Sequence, residues 1–206
     1  MSARRHAAAA ALGALLLCLS PTAPRAQGSE RSAAELMDVL MWNREPVGGP
    51  FALVDHNGKP ATDARFHGKL LLVYFGFTFC PDVCPTDLQS IGLAMERLGK
   101  AGESVQPVFV TLDPERDTPQ RLASYVAFFH PRMIGLTGAP SAIQAAARAY
   151  KVYYARVPLG ERGYTVDHSG YIYLMDPAGK YLGFFPPGTP PEGIVDVILP
   201  LVTTSN

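Results

Sequence analysis

The run Leu70-Leu71-Leu72-Val73-Tyr74-Phe75 leads without a break into Gly76-Phe77-Thr78-Phe79-Cys80-Pro81-Asp82-Val83-Cys84-Pro85-Thr86-Asp87-Leu88, and this stretch decides the fold. The apolar run is too short to span a membrane. It has no polar positions alternating along it, so it reads as a strand buried on both faces, the kind found inside parallel sheets. An amphipathic pattern opens at Pro85 and places Leu88, Ile91, Met95 and Leu98 on one helical face. Proline suits a first helical turn, where its missing N–H has no partner to lose. Cys80 and Cys84 therefore sit on a strand-to-helix turn. The partial positive charge of that helix end favours thiolate over thiol.

Upstream, a strand over residues 51–54 enters an Asn57-Gly58 turn, the strongest short hairpin signal. His56 and His67 fall in or beside turns, where solvation is their expected state. Downstream, a second buried strand over 105–112 runs into Asp113-Pro114-Glu115-Arg116-Asp117-Thr118-Pro119, and Thr118 with Pro119 starts a helix that continues through Phe129. A short strand follows at 133–136, then an Ala-rich helix at 140–150 with Ser141 at its beginning, then a strand at 152–157. Val166-Asp167-His168-Ser169-Gly170 reads as a loop before a strand at 171–175. The Asp176-Pro177-Ala178-Gly179 turn brings back a partner at 181–185, and a helix over 191–201 closes the chain. Strands separated by helices, then a terminal hairpin and helix, describe an α/β sandwich with a mixed, mostly parallel central sheet.

Equal counts of 18 basic and 18 acidic residues leave no net charge, and no basic cluster falls in the folded region, so nucleic acid is not an expected partner. The N-terminus reads as an export signal. Arg4 and Arg5 precede an apolar run of 13 residues at 7–19, short of the roughly 20 a spanning helix needs. Residues 1–26 are thus a cleaved signal peptide, with a retained membrane anchor as the alternative. Residues 27–48 form a linker with a short helical patch, and 49–206 form the domain. Met37 and Met41 lie one helical turn apart and are soft enough to hold copper, but a patch of this kind more simply docks on the domain.

Removal of Cys18 with the signal leaves Cys80 and Cys84. A plain disulfide between positions four apart closes a very small loop and gains little entropy, so a structural bridge is the weaker reading. Two thiolates select Cu(I), zinc or an iron–sulfur cluster. Structural zinc wants four protein ligands, and a cysteine pair with one histidine suits copper better. His130 lies at a helix end, where imidazolium would complement the dipole. His168, flanked by Asp167 and Ser169, lies in a loop able to approach the cysteine turn.

Three stretches together resemble the Sco/SenC proteins: Gly76-Phe77-Thr78-Phe79-Cys80-Pro81-Asp82-Val83-Cys84-Pro85, Asp113-Pro114-Glu115-Arg116-Asp117-Thr118 and Val166-Asp167-His168-Ser169. The resemblance runs from about Gly49 to the C-terminus and implies a thioredoxin-like fold with flanking helices. Carried over, Cys80, Cys84 and His168 match the family's copper ligands for Cu(I) and Cu(II), and Asp113 matches an acidic position able to approach the site. The implied function is a metallochaperone that delivers copper to the dinuclear copper centre of cytochrome c oxidase. The alternative is a thiol–disulfide oxidoreductase whose redox pair, Cys80 and Cys84, reduces the cysteines of that partner site. The implied partners are the copper-accepting oxidase subunit and another periplasmic copper chaperone. The implied location is the periplasm or the outer face of the cytoplasmic membrane. Family members often carry histidine before the first cysteine, where this chain has Phe79, which makes the mouth of the site more apolar.

Overall fold

A computed structural model describes residues 31–42, 44–81 and 83–203. The expected signal or anchor at 1–26 lies outside the described residues. Helix α1 spans Ala33–Trp42, and its N-terminus is closed by a reciprocal cap. The Ser32 hydroxyl accepts from Glu35 N at 3.2 Å, and Glu35 Oε2 accepts from Ser32 N at 2.7 Å. Leu36, Val39 and Leu40 are buried, so the helical patch docks on the domain, while Met41 and Trp42 are exposed.

Strands β1 (Ala52–Asp55) and β2 (Pro60–Thr62) form the expected hairpin, with Gly58 at φ +76° in its turn. Strand β3 (Leu70–Gly76) is buried at every position, as the unbroken apolar run requires. Helix α2 (Val83–Leu98), β4 (Val105–Thr111), α3 (Pro119–Phe129), β5 (Ile134–Thr137) and α4 (Pro140–Ala149) follow. The sequence pattern opens α2 at Pro85, but the helix begins at Val83. Pro85 still lies in the first turn, where no N–H is needed, and Cys84 is thereby helical. Thr118 caps α3 as expected, accepting from Arg121 N. Ser141 does not cap α4: the cap position is Ala139, with Pro140 starting the helix.

Strands β6 (Tyr154–Pro158) and β7 (Tyr164–His168) pair as a separate antiparallel ribbon, then β8 (Ile172–Met175), β9 (Tyr181–Phe185) and α5 (Pro191–Thr203) complete the chain. His168 was expected in a loop and instead ends a strand. Gly160 and Gly163, at φ +63° and +84°, make the tight connection that lets Tyr164-Thr165-Val166 return along β6.

The main sheet has the order β2-β1-β5-β4-β3-β8-β9. β3, β4 and β5 are parallel, whereas β8 runs antiparallel to β3 and β1 antiparallel to β5. This mixed sheet with flanking helices is a thioredoxin-like fold. Parallel β3 and β4 end together at Gly76 and Thr111, so the two turns that carry chemistry leave the sheet side by side.

Candidate metal centre

The turn after β3 is sewn to the turn after β4 by one buried carboxylate. Asp117 accepts from the Thr78 amide at 3.0 Å, from the Thr78 hydroxyl at 2.6 Å and from the Thr111 hydroxyl at 2.6 Å. These donors favour its ionised form, but burial outweighs them and raises its pKa. Cys80 N closes a turn onto Phe77 O at 3.2 Å, which leaves Cys80 partly exposed at the mouth. Cys84 lies fully buried in the first turn of α2. Gly76 makes room for it, because a Cβ at that position would stand 2.8 Å from the Cys84 sulfur.

His168 arrives from the end of β7. Its Nδ1 lies 3.2 Å from the Ser169 carbonyl, and a carbonyl only accepts, so Nδ1 carries the proton. In the neutral ring this leaves the Nε2 lone pair facing Cys84 Sγ at 3.3 Å. A backbone carbonyl that fixes the tautomer is the support a metal-binding histidine needs. Phe77 and Tyr74 meet the imidazole edge-on, with ring centroids 5.9 and 6.3 Å away, and confine its plane. Cys80, Cys84 and His168 offer three ligand atoms within 4.8 Å of one another, the one such group among the described residues.

Cys80 and Cys84 are not joined in a disulfide. The neighbouring Cys80 sulfur and burial together push the Cys84 thiol well above its ordinary range. The thiolate expected from the helix end is therefore disfavoured at Cys84, because the Cys80 sulfur and the loss of solvation together outweigh the dipole. A metal ion bound here would supply the positive charge that replaces the proton.

Asp113 is buried but is committed elsewhere. It accepts from the Tyr164 hydroxyl at 2.7 Å and from Arg116 Nε, and it stands outside the three-donor group. His130 is nearly buried at the end of α3, where Nδ1 accepts from Arg132 N at 3.2 Å. Burial lowers its pKa, so the ring tends to neutral instead of serving as a charged helix cap. His56 also has a structural role, with Nδ1 accepting from Gly135 N at 3.0 Å.

Sequence reasoning missed two polar groups beside the centre. The Tyr74 hydroxyl is buried, and burial with the nearby Cys84 and Asp87 raises its pKa strongly. Asp87 accepts from Gly188 N at 2.8 Å through Oδ1, Oδ2 has no hydrogen-bond partner among the described residues, and burial raises its pKa. The signal was present in the spacing. Tyr74 shares a strand face with Gly76, and Asp87 lies three residues past Cys84 on α2.

The SCO1/SenC family model matches residues 41–203. This chain belongs to the SCO1/SenC family. It is 44% identical over 140 residues to the mitochondrial "Protein SCO1 homolog 1" of Arabidopsis thaliana, which covers 68% of this chain but only 42% of that longer relative. It is 40% identical over 189 residues to a "SCO2-like protein" of Rickettsia felis, which covers 91% of this chain and 89% of the relative. The crystal structure of Arabidopsis thaliana ScoI with copper bound superposes with a TM-score of 0.73 at 40% identity, covering 77% of this chain and 99% of that one. BsSco, described as a member of the Sco family of cytochrome c oxidase assembly proteins and as containing a disulfide switch, matches with a TM-score of 0.60 at 25% identity, over 77% of this chain and 96% of that one.

Proposed function

We propose that this chain binds one copper ion through Cys80, Cys84 and His168 and hands it to the dinuclear copper centre of cytochrome c oxidase, working outside the cytoplasmic membrane. The observation that carries the reading is the convergence of two thiols and one tautomer-fixed imidazole within 4.8 Å. Two thiolates satisfy Cu(I), a soft ion content with few ligands, and the added nitrogen suits Cu(II). The copper-bound relative with the same fold supports the choice of metal. The partial exposure of Cys80 supports transfer, because an incoming thiolate from an acceptor can reach the ion there while Cys84 and His168 still hold it. Asp113 then belongs to the frame of the site, and the acceptor is the copper-binding subunit of the oxidase. Export through residues 1–26, by a cleaved signal or a retained anchor, completes the proposal.

A second reading rests on the same cysteine pair: reduction of the acceptor's own disulfide by thiol–disulfide exchange, for which the disulfide switch described in BsSco is the relevant likeness. Cells lacking this protein separate the two. Added copper restores oxidase activity at least in part if delivery is the role, and restores none if reduction is obligatory. Cu(I) loading followed by mass spectrometry of the folded protein tests the site itself. One-to-one loading is expected in the wild type, and its persistence in the Cys80→Ser, Cys84→Ser double variant would reject the ligands.

A further inference from the structure

The ribbon that carries His168 has little core of its own. Val166 is its one buried residue, Arg156 and Val157 are exposed, and it pairs with no strand of the main sheet. A two-stranded ribbon is marginal by itself, so the position of His168 depends on what grips the ribbon.

The grip is a continuous series of alternating guanidinium and ring contacts. The Arg121 guanidinium lies 4.5 Å from the Phe79 ring centroid, and that of Arg116 lies 4.7 Å from the same ring. Arg116 also stacks 3.9 Å from the Tyr164 centroid, which Arg156 meets at 4.7 Å. The series Arg121, Phe79, Arg116, Tyr164, Arg156 thus starts on α3, passes through the residue before Cys80 and ends on both strands of the ribbon. Polar contacts fasten it. Arg116 Nη1 donates to the Tyr164 carbonyl at 3.0 Å, the Tyr164 hydroxyl donates to buried Asp113, and Arg156 pairs with Glu115 at 2.8 Å. Arginine keeps its charge at any working pH, and its planar fork serves a ring face and a carbonyl together.

We propose that Phe79, Arg116 and Tyr164 form a clasp that locks the His168 ribbon onto the cysteine turn, so that they act as positioning residues for the third copper donor. None of them is a ligand. The clasp joins the two elements that bear the ligands, and its hold exists before any ion arrives. Its consequence for the metal rests on the copper reading above. Cu(I) held by two thiolates depends little on where His168 stands, whereas Cu(II) depends on it strongly. Phe79 is therefore more than apolar surface at the mouth: it ties the cysteine turn to Arg116.

The test uses Arg116→Lys, which keeps the charge but loses the fork and the flat face, and Tyr164→Leu, which keeps apolar bulk. Tyr164→Phe, which keeps the ring but loses the hydroxyl, serves as the milder variant. In the apo proteins, amide exchange over residues 154–168 is expected to quicken by about tenfold or more in the first two variants, with β3 and β4 unchanged. With copper, the Cu(II) dissociation constant is expected to rise by roughly 10–100-fold, the usual cost of losing support behind a ligand, with altered thiolate–Cu(II) absorption bands. Cu(I) affinity should stay within about threefold, because its two thiolates remain. Tyr164→Phe should fall between wild type and Tyr164→Leu in both readouts. Unchanged exchange in the ribbon, or equal losses for both ions, would overturn the clasp. Wild-type protein that bound neither ion would defeat the copper reading alone, since the exchange arm judges the clasp in apo protein.

Discussion

At the scale of single residues, His168 and Cys84 divide the chemistry of the centre. His168 presents Nε2 because Nδ1 is held by the Ser169 carbonyl. Replacing it with Ala should weaken Cu(II) by about 10–100-fold, in line with the cost of disturbing a metal's ligand environment, and should barely affect Cu(I). Parallel titrations with the two ions and a melt of the apo forms check this. Unaltered Cu(II) affinity and absorption in a well-folded variant would remove His168 from the ligand set. Cys84 makes a different prediction. Its pKa is raised by the Cys80 sulfur and by burial, so the thiol form is favoured at neutral pH and a copper ion bound there would have to displace the proton. The thiol form is favoured below the raised pKa, so apparent Cu(I) affinity should climb as pH rises, by up to about tenfold per pH unit for each proton released. Competition titrations from about pH 6 to pH 8 would refute this by giving a flat profile.

At the scale of elements, the centre depends on two turns that leave parallel strands at the same edge. Asp117 holds them together by accepting from both Thr78 donors and from Thr111. Asp117→Ala leaves these three donors without their acceptor, at a cost of about 1–3 kcal/mol for each buried group left unsatisfied. Asp117→Asn retains one carbonyl acceptor and should lose less. Denaturant unfolding of the three proteins should rank them wild type, Asn, Ala. If the Ala variant is as stable as wild type, the carboxylate does not hold the turns. The same substitution should also loosen copper, since Thr78 lies two residues before Cys80.

At the scale of the whole molecule, the three proposed ligands come from segments far apart in the chain, so a copper ion held by them would act as a cross-link of the native state. A ligand at a thousand times its dissociation constant stabilises the fold by about 4.1 kcal/mol. In a domain of this size each kcal/mol moves the melting temperature by about 2–4 °C, so a rise on the order of 10 °C is expected on Cu(I) loading. Differential scanning calorimetry of apo and loaded protein measures it. The Cys80→Ser, Cys84→Ser variant should show no such rise, and an equal rise there would place the stabilising metal elsewhere. No helix among the described residues is long and apolar enough to cross a membrane. The apolar run at 7–19 lies outside them.

The sequence by itself determined what depends on neighbours along the chain. The apolar run at 70–75 became a strand buried at every position, because no residue in it had a polar side to turn outward. Thr118-Pro119 started α3, and Asn57-Gly58 made its turn, since caps and turns are settled by a few adjacent residues. The spacing of Cys80 and Cys84 across a strand-to-helix turn was legible for the same reason. The tertiary structure alone decided the rest. His168 reaches Cys84 across 84 positions, a meeting that no local pattern encodes. Its segment became a strand because a partner at 154–158 lay alongside it. Asp113 is engaged by Tyr164, 51 residues away, and the Cys84 thiol is pushed up by the Cys80 sulfur and by burial, against the pull of the helix end. Desolvation and long-range pairing depend on what the whole chain packs against a group, and that is settled only when the sheet is assembled.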